Sequence, residues 1–485
     1  MSEIRLAVEI EGLTVYQDSV VDKDDVSYFL ALTDEGEKLL GVKGDDSEFK
    51  GELQDDVLLC PLTPENGAVL RARLAWLRPV CLGLRTSFGF GDRLGLATPG
   101  HVRAGQGFRE ISPIFAQQSV RENARTGRTP QEVLDDAMWG VFQAGWRGAW
   151  GADADHLKTP DDVAPFVIAG YTFYTIDPGD HVDDEAHTAP DAALASKIHA
   201  LPWEALEINR MDLEQRYLDR SFDLGDFTVA LDRETLYRAA AKYGCAIAHT
   251  TRMYHTLVEQ MGDKAFELEV SVDETETPTS PEEHIFIASE LERLGVEWVS
   301  LAPRYIGRFE KGVDYMGDLS EFRTELDKHA SIARAFGPYK LSVHSGSDKF
   351  SIYPSIAEAT DGLAHVKTAG TSYLEALRTV GQVDREFFRE ILTLARERYE
   401  ADRVTYHVSA ELSRVPDPHS VNDDDLPDLL EQFDARQALH VTFGSVLDRF
   451  GDRLRSTLEA HEEVYAELLD RHFRRHLSSL VEGSE

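Results

Sequence analysis

Glu267-Leu-Glu-Val-Ser-Val-Asp273 alternates between polar and apolar residues along its whole length. In an extended chain, successive side chains point to opposite faces, so Leu268, Val270 and Val272 share one face. Glu267, Glu269, Ser271 and Asp273 share the other. The aliphatic face suits packing against helices and the acidic face suits the lining of a barrel. Buried carboxylates cost several kcal/mol each unless they are paired or bound to a metal, so a wall of them predicts a site. The stretch Lys340-Leu-Ser-Val-His344 repeats the pattern, with Leu341 and Val343 outward and Ser342 and His344 inward. His365 and Lys367 share a face with Leu363, so alternation leaves their direction open.

Around these stretches the chain reads as strand, polar loop, helix, strand. Eight strands are expected, at 80–85, 150–155, 172–177, 266–272, 298–304, 340–344, 363–368 and 404–409. The helices between them carry ordinary signals. Thr129-Pro130 serves as N-cap and first helical residue of a helix reaching about Gly145. Ser280-Pro-Glu-Glu283 is a capping box. Leu319, Phe322, Leu326, Ala330 and Ala333 form an apolar stripe that stops at Gly337.

Eight strand–helix units in series predict a (β/α)8, TIM-like barrel over 78–424, with a doubly wound open sheet as the alternative. Residues 1–77, with short apolar runs split by acidic turns, predict a small β-rich module. The segment 178–262 is longer than one helix needs and predicts an inserted helical lobe or lid. Residues 425–485 predict peripheral helices.

Composition narrows the function. The chain has 485 residues, 50 basic and 87 acidic, for a net charge of −37. A field of that sign repels nucleic acid and anionic membranes, and an anionic substrate then needs a locally basic pocket. No apolar run approaches the ~20 residues that span a bilayer, and the N-terminus lacks a signal-peptide layout. Cys60, Cys81 and Cys245 are widely spaced, with no C-x-x-C, which suits a reducing cytoplasm. Cys60 and Cys81 lie in apolar runs and are expected to be buried. A small-molecule partner is expected, and assembly into a homo-oligomer is compatible with the sequence.

In such a barrel the chemistry sits where strands end. Those ends are polar here: Gly151-Ala-Asp-Ala-Asp-His156, Asp177-Pro-Gly-Asp-His181, His344-Ser-Gly-Ser-Asp-Lys349 and His365-Val-Lys367. Histidines and carboxylates that converge from separate strands are what a divalent metal needs. His156, Glu269 and His344 are the expected constellation, in which Glu269 could equally be a ligand. Ser87-Phe-Gly-Phe-Gly-Asp-Arg-Leu-Gly95 spaces its glycines wrongly for a dinucleotide fingerprint and reads as a turn at the barrel mouth. The phosphate-loop, nucleophile-elbow and zincin motifs are absent.

Six strings together resemble one family over essentially the whole chain. They are Arg85-Thr-Ser-Phe-Gly-Phe-Gly-Asp-Arg-Leu-Gly95, Pro113-Ile-Phe-Ala-Gln-Gln-Ser-Val-Arg-Glu-Asn123, Gly151-Ala-Asp-Ala-Asp-His156, Val270-Ser-Val-Asp-Glu-Thr-Glu-Thr-Pro-Thr-Ser-Pro281, His344-Ser-Gly-Ser-Asp-Lys-Phe350 and His365-Val-Lys-Thr-Ala-Gly-Thr-Ser-Tyr-Leu-Glu-Ala376. The chain resembles the tagaturonate epimerases of hexuronate catabolism. The resemblance implies a divalent-metal enzyme, using a transition ion such as Mn, Fe, Co, Ni or Zn, that inverts C4 of D-tagaturonate to give D-fructuronate. It implies Asp155 as proton acceptor, Glu269 as proton donor, and His156 and His344 as metal ligands. The third ligand falls in the loop with Glu310, and His365 or Asp273 is the alternative. Arg304 or Lys367 would pair with the substrate carboxylate, and Asp273 would also face the substrate. The rival readings are a metal-dependent isomerase, epimerase or aldolase acting on another ketose, and a non-catalytic sugar-acid sensor.

Overall fold

In the computed structural model, which describes residues 10–482, the strands begin with β1 (Leu13–Val15), β2 (Val21–Lys23), β3 (Val26–Thr33), β4 (Lys38–Lys43), β5 (Glu52–Gln54) and β6 (Val57–Pro61). They pair antiparallel in the order β1-β3-β4-β6-β5, with β2 beside β3. Alternation along β3 sends Tyr28 and Leu30 into the main core and Phe29 and Ala31 into a second, smaller cluster. This is the β-rich N-terminal module.

The next strands are β7 (Ser87–Phe90), β8 (Ser112–Ser119), β9 (Gly151–Leu157) and β10 (Phe173–Ile176). A separate hairpin, β11 (Ser221–Asp223) and β12 (Thr228–Ala230), precedes β13 (Glu267–Ser271), β14 (Ser300–Ala302), β15 (Lys340–Val343) and β16 (Ala364–Thr368). Without the hairpin, the eight strands from β7 to β16 pair in parallel and close into a barrel, β16 returning to β7. Helices surround it, among them Pro130–Gln143 capped by Thr129 and Pro281–Arg293 with the Ser280–Glu283 capping box. The helix Leu319–Ala335 buries Phe322, Leu326, Ala330 and Ala333, the stripe seen in the sequence. The fold is a (β/α)8, TIM-like barrel.

Eight strands were expected and eight form, but two memberships differ. The segment 80–85 is not a strand: Val80 and Leu84 are exposed, and so is Cys81, which was expected to be buried. The strand lies just downstream, at Ser87–Phe90, in the glycine-rich stretch read as a turn. Gly89 fits there because a Cβ would meet the Gln117 side chain at 1.6 Å. Residues 404–409 are not a strand either. Arg403–Thr405 is a helical turn, Val404 is 80 % exposed, and the Ser409 N–H donates to Glu310 and Gln437 side chains instead of a ladder. The missing strand is Ser112–Ser119, buried throughout, whose Pro113 and Gln117-Gln118-Ser119 masked it.

The segment 178–262 holds short helical turns, helices Asp191–His199 and Arg210–Tyr217, the hairpin, and the long helix Arg233–Met261. Lys242 on that helix is buried against Glu283 Oε2 at 3.2 Å, which ties it to the helix Pro281–Arg293. At the C-terminal end, helices Phe433–Val441, Phe443–Ala460 and Glu462–Glu482 cover one side of the barrel. The last packs on helices Thr98–Gly105, Tyr353–Thr360 and Thr371–Val383. Among the described residues no helix is long and apolar enough to cross a membrane.

Candidate active site

Alternation along β9 sends Asp153 and Asp155 into the barrel and Ala152 and Ala154 outward. By the same rule His156 should turn away from Asp155. It does not. His156 has φ 53°, and the register between β9 and β10 shifts there, Tyr174 facing Ala154 and Ile176 facing Leu157. Such a bulge re-aims a side chain, and Asp155 and His156 both line one cavity. A left-handed backbone costs a non-glycine residue roughly 1–2 kcal/mol, so the surroundings must hold it. Part of that hold is Asp177 Oδ2, 3.1 Å from His156 Nδ1. A second left-handed residue, Ser345 (φ 50°), turns the chain directly after His344.

One buried ammonium organises the inner layer. Lys367 Nζ lies 2.8 Å from Asp153 Oδ2, 2.8 Å from Asp155 Oδ1 and 2.9 Å from Glu269 Oε1. Thr175 Oγ1 joins this group and donates to Asp153 Oδ1 at 3.0 Å. Burial works against the Lys367 charge, but the three carboxylates hold its pKa well above the ordinary lysine value. Burial likewise works against the Asp155 carboxylate; Lys367, then His156 and His344, outweigh it and keep the group ionised. Glu269 is held low in the same way by Lys367 and His344. Asp153, where burial prevails, is pushed up to about 7.

His344 sits between two carboxylates, with Nε2 2.7 Å from Glu269 Oε1 and Nδ1 3.0 Å from Asp273 Oδ1. Burial disfavours its charge, yet Asp273 and Glu269 lift its pKa to about 9. His156, against burial, is lifted to about 10 by Asp155 and Asp177. The two imidazoles meet edge to face with centroids 5.0 Å apart. Asp155, His156 and His344 each offer one ligand atom, and these atoms lie within 4.8 Å of one another.

Other residues singled out in the sequence fall elsewhere. Glu310 does not join that trio: its Oε2 accepts from Ser409 N at 2.9 Å, Ser409 Oγ at 2.8 Å and Gln437 Nε2 at 3.0 Å. His365 points into the barrel at a layer of its own, with Nδ1 2.9 Å from Ser87 Oγ, and burial pushes its pKa down to about 3. Lys367 also points inward, but its ammonium is committed to the three carboxylates. Arg304 lines the outer cleft together with Asp273 and His344.

The cavity at the trio opens beside a larger cleft. Arg121, Asp273, Glu274, Lys311 and Tyr406 wall both. Among the described residues none from 178–262 lines either, because the long helix of that segment packs along the outside of the barrel. The segment does touch the loop that walls the cleft, since Asp184 Oδ2 accepts from Glu276 N at 3.0 Å. Thr175 and Lys311 escaped the sequence reading, and Asp153 and Asp177 were quoted in it as polar strand ends with no role. Asp153 was accessible to it, since it lies two residues before Asp155 and shares its face.

A family model described as tagaturonate epimerase matches residues 16–480. The tagaturonate/fructuronate epimerase of Thermotoga maritima is 48 % identical over 481 residues, covering 97 % of this chain and 98 % of that one. The native crystal structure of the fructuronate-tagaturonate epimerase UxaE from Cohnella laeviribosi superposes with a TM-score of 0.92 at 38 % identity, covering 97 % of both chains. A glycerol complex of the same Cohnella protein matches equally, with a TM-score of 0.92. With its barrel, its inward-facing carboxylates and these relatives along nearly its whole length, the chain belongs to the tagaturonate epimerase family.

Proposed function

We propose that the protein interconverts D-tagaturonate and D-fructuronate by inverting C4, using a divalent transition metal held by His156 and His344. It would act in the cytoplasm on a free sugar acid, which the unpaired thiols of Cys60, Cys81 and Cys245 support. The observation that carries the reading is the trio Asp155, His156 and His344, packed within ligand distance of one another beside Glu269.

The donor set fits such an ion. Two imidazole ligands suit Mn, Fe, Co, Ni or Zn better than Mg. The Asp177–His156 contact at 3.1 Å has the form by which carboxylates orient ligating histidines. The carboxylates that raise both imidazole pKa values also make the pocket one that a dication would neutralise. When bound, the metal would supply Lewis acidity for negative charge developing at O2 of the substrate.

The residues of the chain then divide the remaining work. The C–H at C4 is not acidic, whereas the C4 hydroxyl lies β to the C2 carbonyl. Asp155, ionised, removes the proton of that hydroxyl. The C3–C4 bond breaks, its electron pair passing to the C2 carbonyl, and C4 becomes an aldehyde. The aldehyde turns over, C3 re-attacks its other face, and Glu269 returns a proton to O4. Glu269, ionised at rest, takes from water the proton that it returns, and its Oε1 lies 2.7 Å from His344 Nε2 beside the proposed metal site. Lys367 keeps the acceptor and donor carboxylates on one ammonium and so fixes their spacing.

NMR of D-tagaturonate incubated with the protein tests this reading. Fructuronate should form with a divalent transition metal and not after chelation. Absence of fructuronate under all metals would refute it.

A further inference from the structure

A hexulosonate is an anion, and its carboxylate lies only two carbon–carbon bonds from C4. The cation that binds it must therefore share the cavity of Asp155 and His344. That cavity is lined by six basic side chains: Arg93, Arg121, His156, Lys311, His344 and Lys367. Five are already matched to carboxylates. Arg93 is paired with Glu122 at 2.9 Å, Arg121 with Glu274 at 3.3 Å, Lys367 with three acids, and both histidines with aspartate or glutamate. Lys311 differs. Its Nζ donates to Ser345 Oγ at 2.6 Å, and among the described residues no carboxylate lies within ion-pair distance.

Lys311 is half-buried, and an ammonium partly withdrawn from water without a counter-ion is costly; a substrate carboxylate is the counter-ion that would relieve the cost. Burial lowers the Lys311 pKa, the direction expected of such a group. Arg93 lines the same cavity, its guanidinium 3.7 Å over the Phe443 ring. Arg93 is 2 % exposed and spends Nε and Nη2 on Glu122, while its Nη1 is buried with no hydrogen-bond partner. Lys311 and Arg93 both bear on His440, whose pKa burial and these cations push down, so they belong to one neighbourhood.

We propose that Lys311, with the free Nη1 of Arg93, is the subsite for the substrate's carboxylate and the source of selectivity for sugar acids over neutral ketoses. This rests on the epimerase reading and replaces Lys367 in that role. In the cleavage described above, the aldehyde fragment is the one that carries the carboxylate. An anchor at Lys311 would hold that fragment while its carbonyl turns.

The test is calorimetric binding of D-tagaturonate and of D-tagatose, its neutral counterpart, to metal-loaded wild type, Lys311→Met and Lys311→Arg, with turnover measured alongside. Lys311→Met should weaken D-tagaturonate binding roughly 10- to 100-fold, the worth of a charged hydrogen bond. D-tagatose binding should stay unchanged, and Lys311→Arg should recover part of the loss. Equal weakening of both ligands would mean that Lys311 only shapes the cavity and would overturn the inference, as would unchanged tagaturonate affinity. Wild type that binds tagaturonate without converting it would defeat the epimerase reading alone, leaving the binding ratio to judge Lys311.

Discussion

Lys367 Nζ lies 2.8 Å from Asp155 Oδ1 inside the barrel, where neither side chain is more than 7 % exposed. The same ammonium reaches Asp153 and Glu269, so one positive charge keeps three buried acids in place. Replacing Lys367 by Met preserves much of the volume and removes the one ammonium that these acids share. Stability should fall by about 3–5 kcal/mol, the usual cost of breaking a buried ion pair, measured by urea unfolding. Any folded fraction should lose activity roughly 10²-fold or more, because Asp155, the proton acceptor, would no longer be held ionised.

Metal should follow the histidines. His156→Ala and His344→Ala are each expected to weaken the binding of a divalent transition ion sharply, read by metal content after dialysis. Asp177→Asn should weaken it about 10- to 100-fold, since Asp177 orients the His156 ring at 3.1 Å without belonging to the trio. Wild-type metal content in both histidine variants would place the ion elsewhere.

The proton-transfer pair is separable from the metal. Asp155→Asn and Glu269→Gln keep side-chain shape but remove the capacity to carry the proton. Epimerisation should fall by roughly 10²–10⁴ in each, with metal retained. Kinetics and metal analysis on the same preparations check this, and loss of metal from Asp155→Asn would reassign that carboxylate as a ligand.

The barrel wall offers a test free of catalysis. A methyl at position 89 would collide with the Gln117 side chain, whose Nε2 donates to Thr368 O at 3.2 Å. Gly89→Ala should cost about 1–3 kcal/mol in chemical unfolding. Pairing it with Gln117→Ala should recover part of that loss, as expected of residues in direct contact.

Alternation made the acids of 267–273 legible, because a strand lining a barrel must separate its aliphatic outer face from its inner one. The same rule could not bring Asp155 and His156 to one cavity; that takes the bulge and the φ of 53° at His156, which no spacing encodes. Ser112–Ser119 stayed hidden because an inner wall of glutamines and serine reads as a polar loop. The 404–409 stretch misled in the opposite sense, since Thr405 and Tyr406 bond Arg125 and Ser409 bonds Glu310 and Gln437 in place of a ladder. The Glu310 carboxylate turns to residues 99 and 127 positions along the chain, a relationship set by the C-terminal helices and not by any local pattern. Lys311 lies in an irregular loop where periodicity is silent.

On the proposed mechanism C4 is inverted by breaking and re-forming the C3–C4 bond. The most direct measurement is NMR of the product from D-tagaturonate deuterated at C4, incubated with metal-loaded protein in ordinary water. The account predicts D-fructuronate that keeps its deuterium at C4, because that hydrogen never leaves carbon. Fructuronate that has exchanged its C4 label for solvent hydrogen would contradict it.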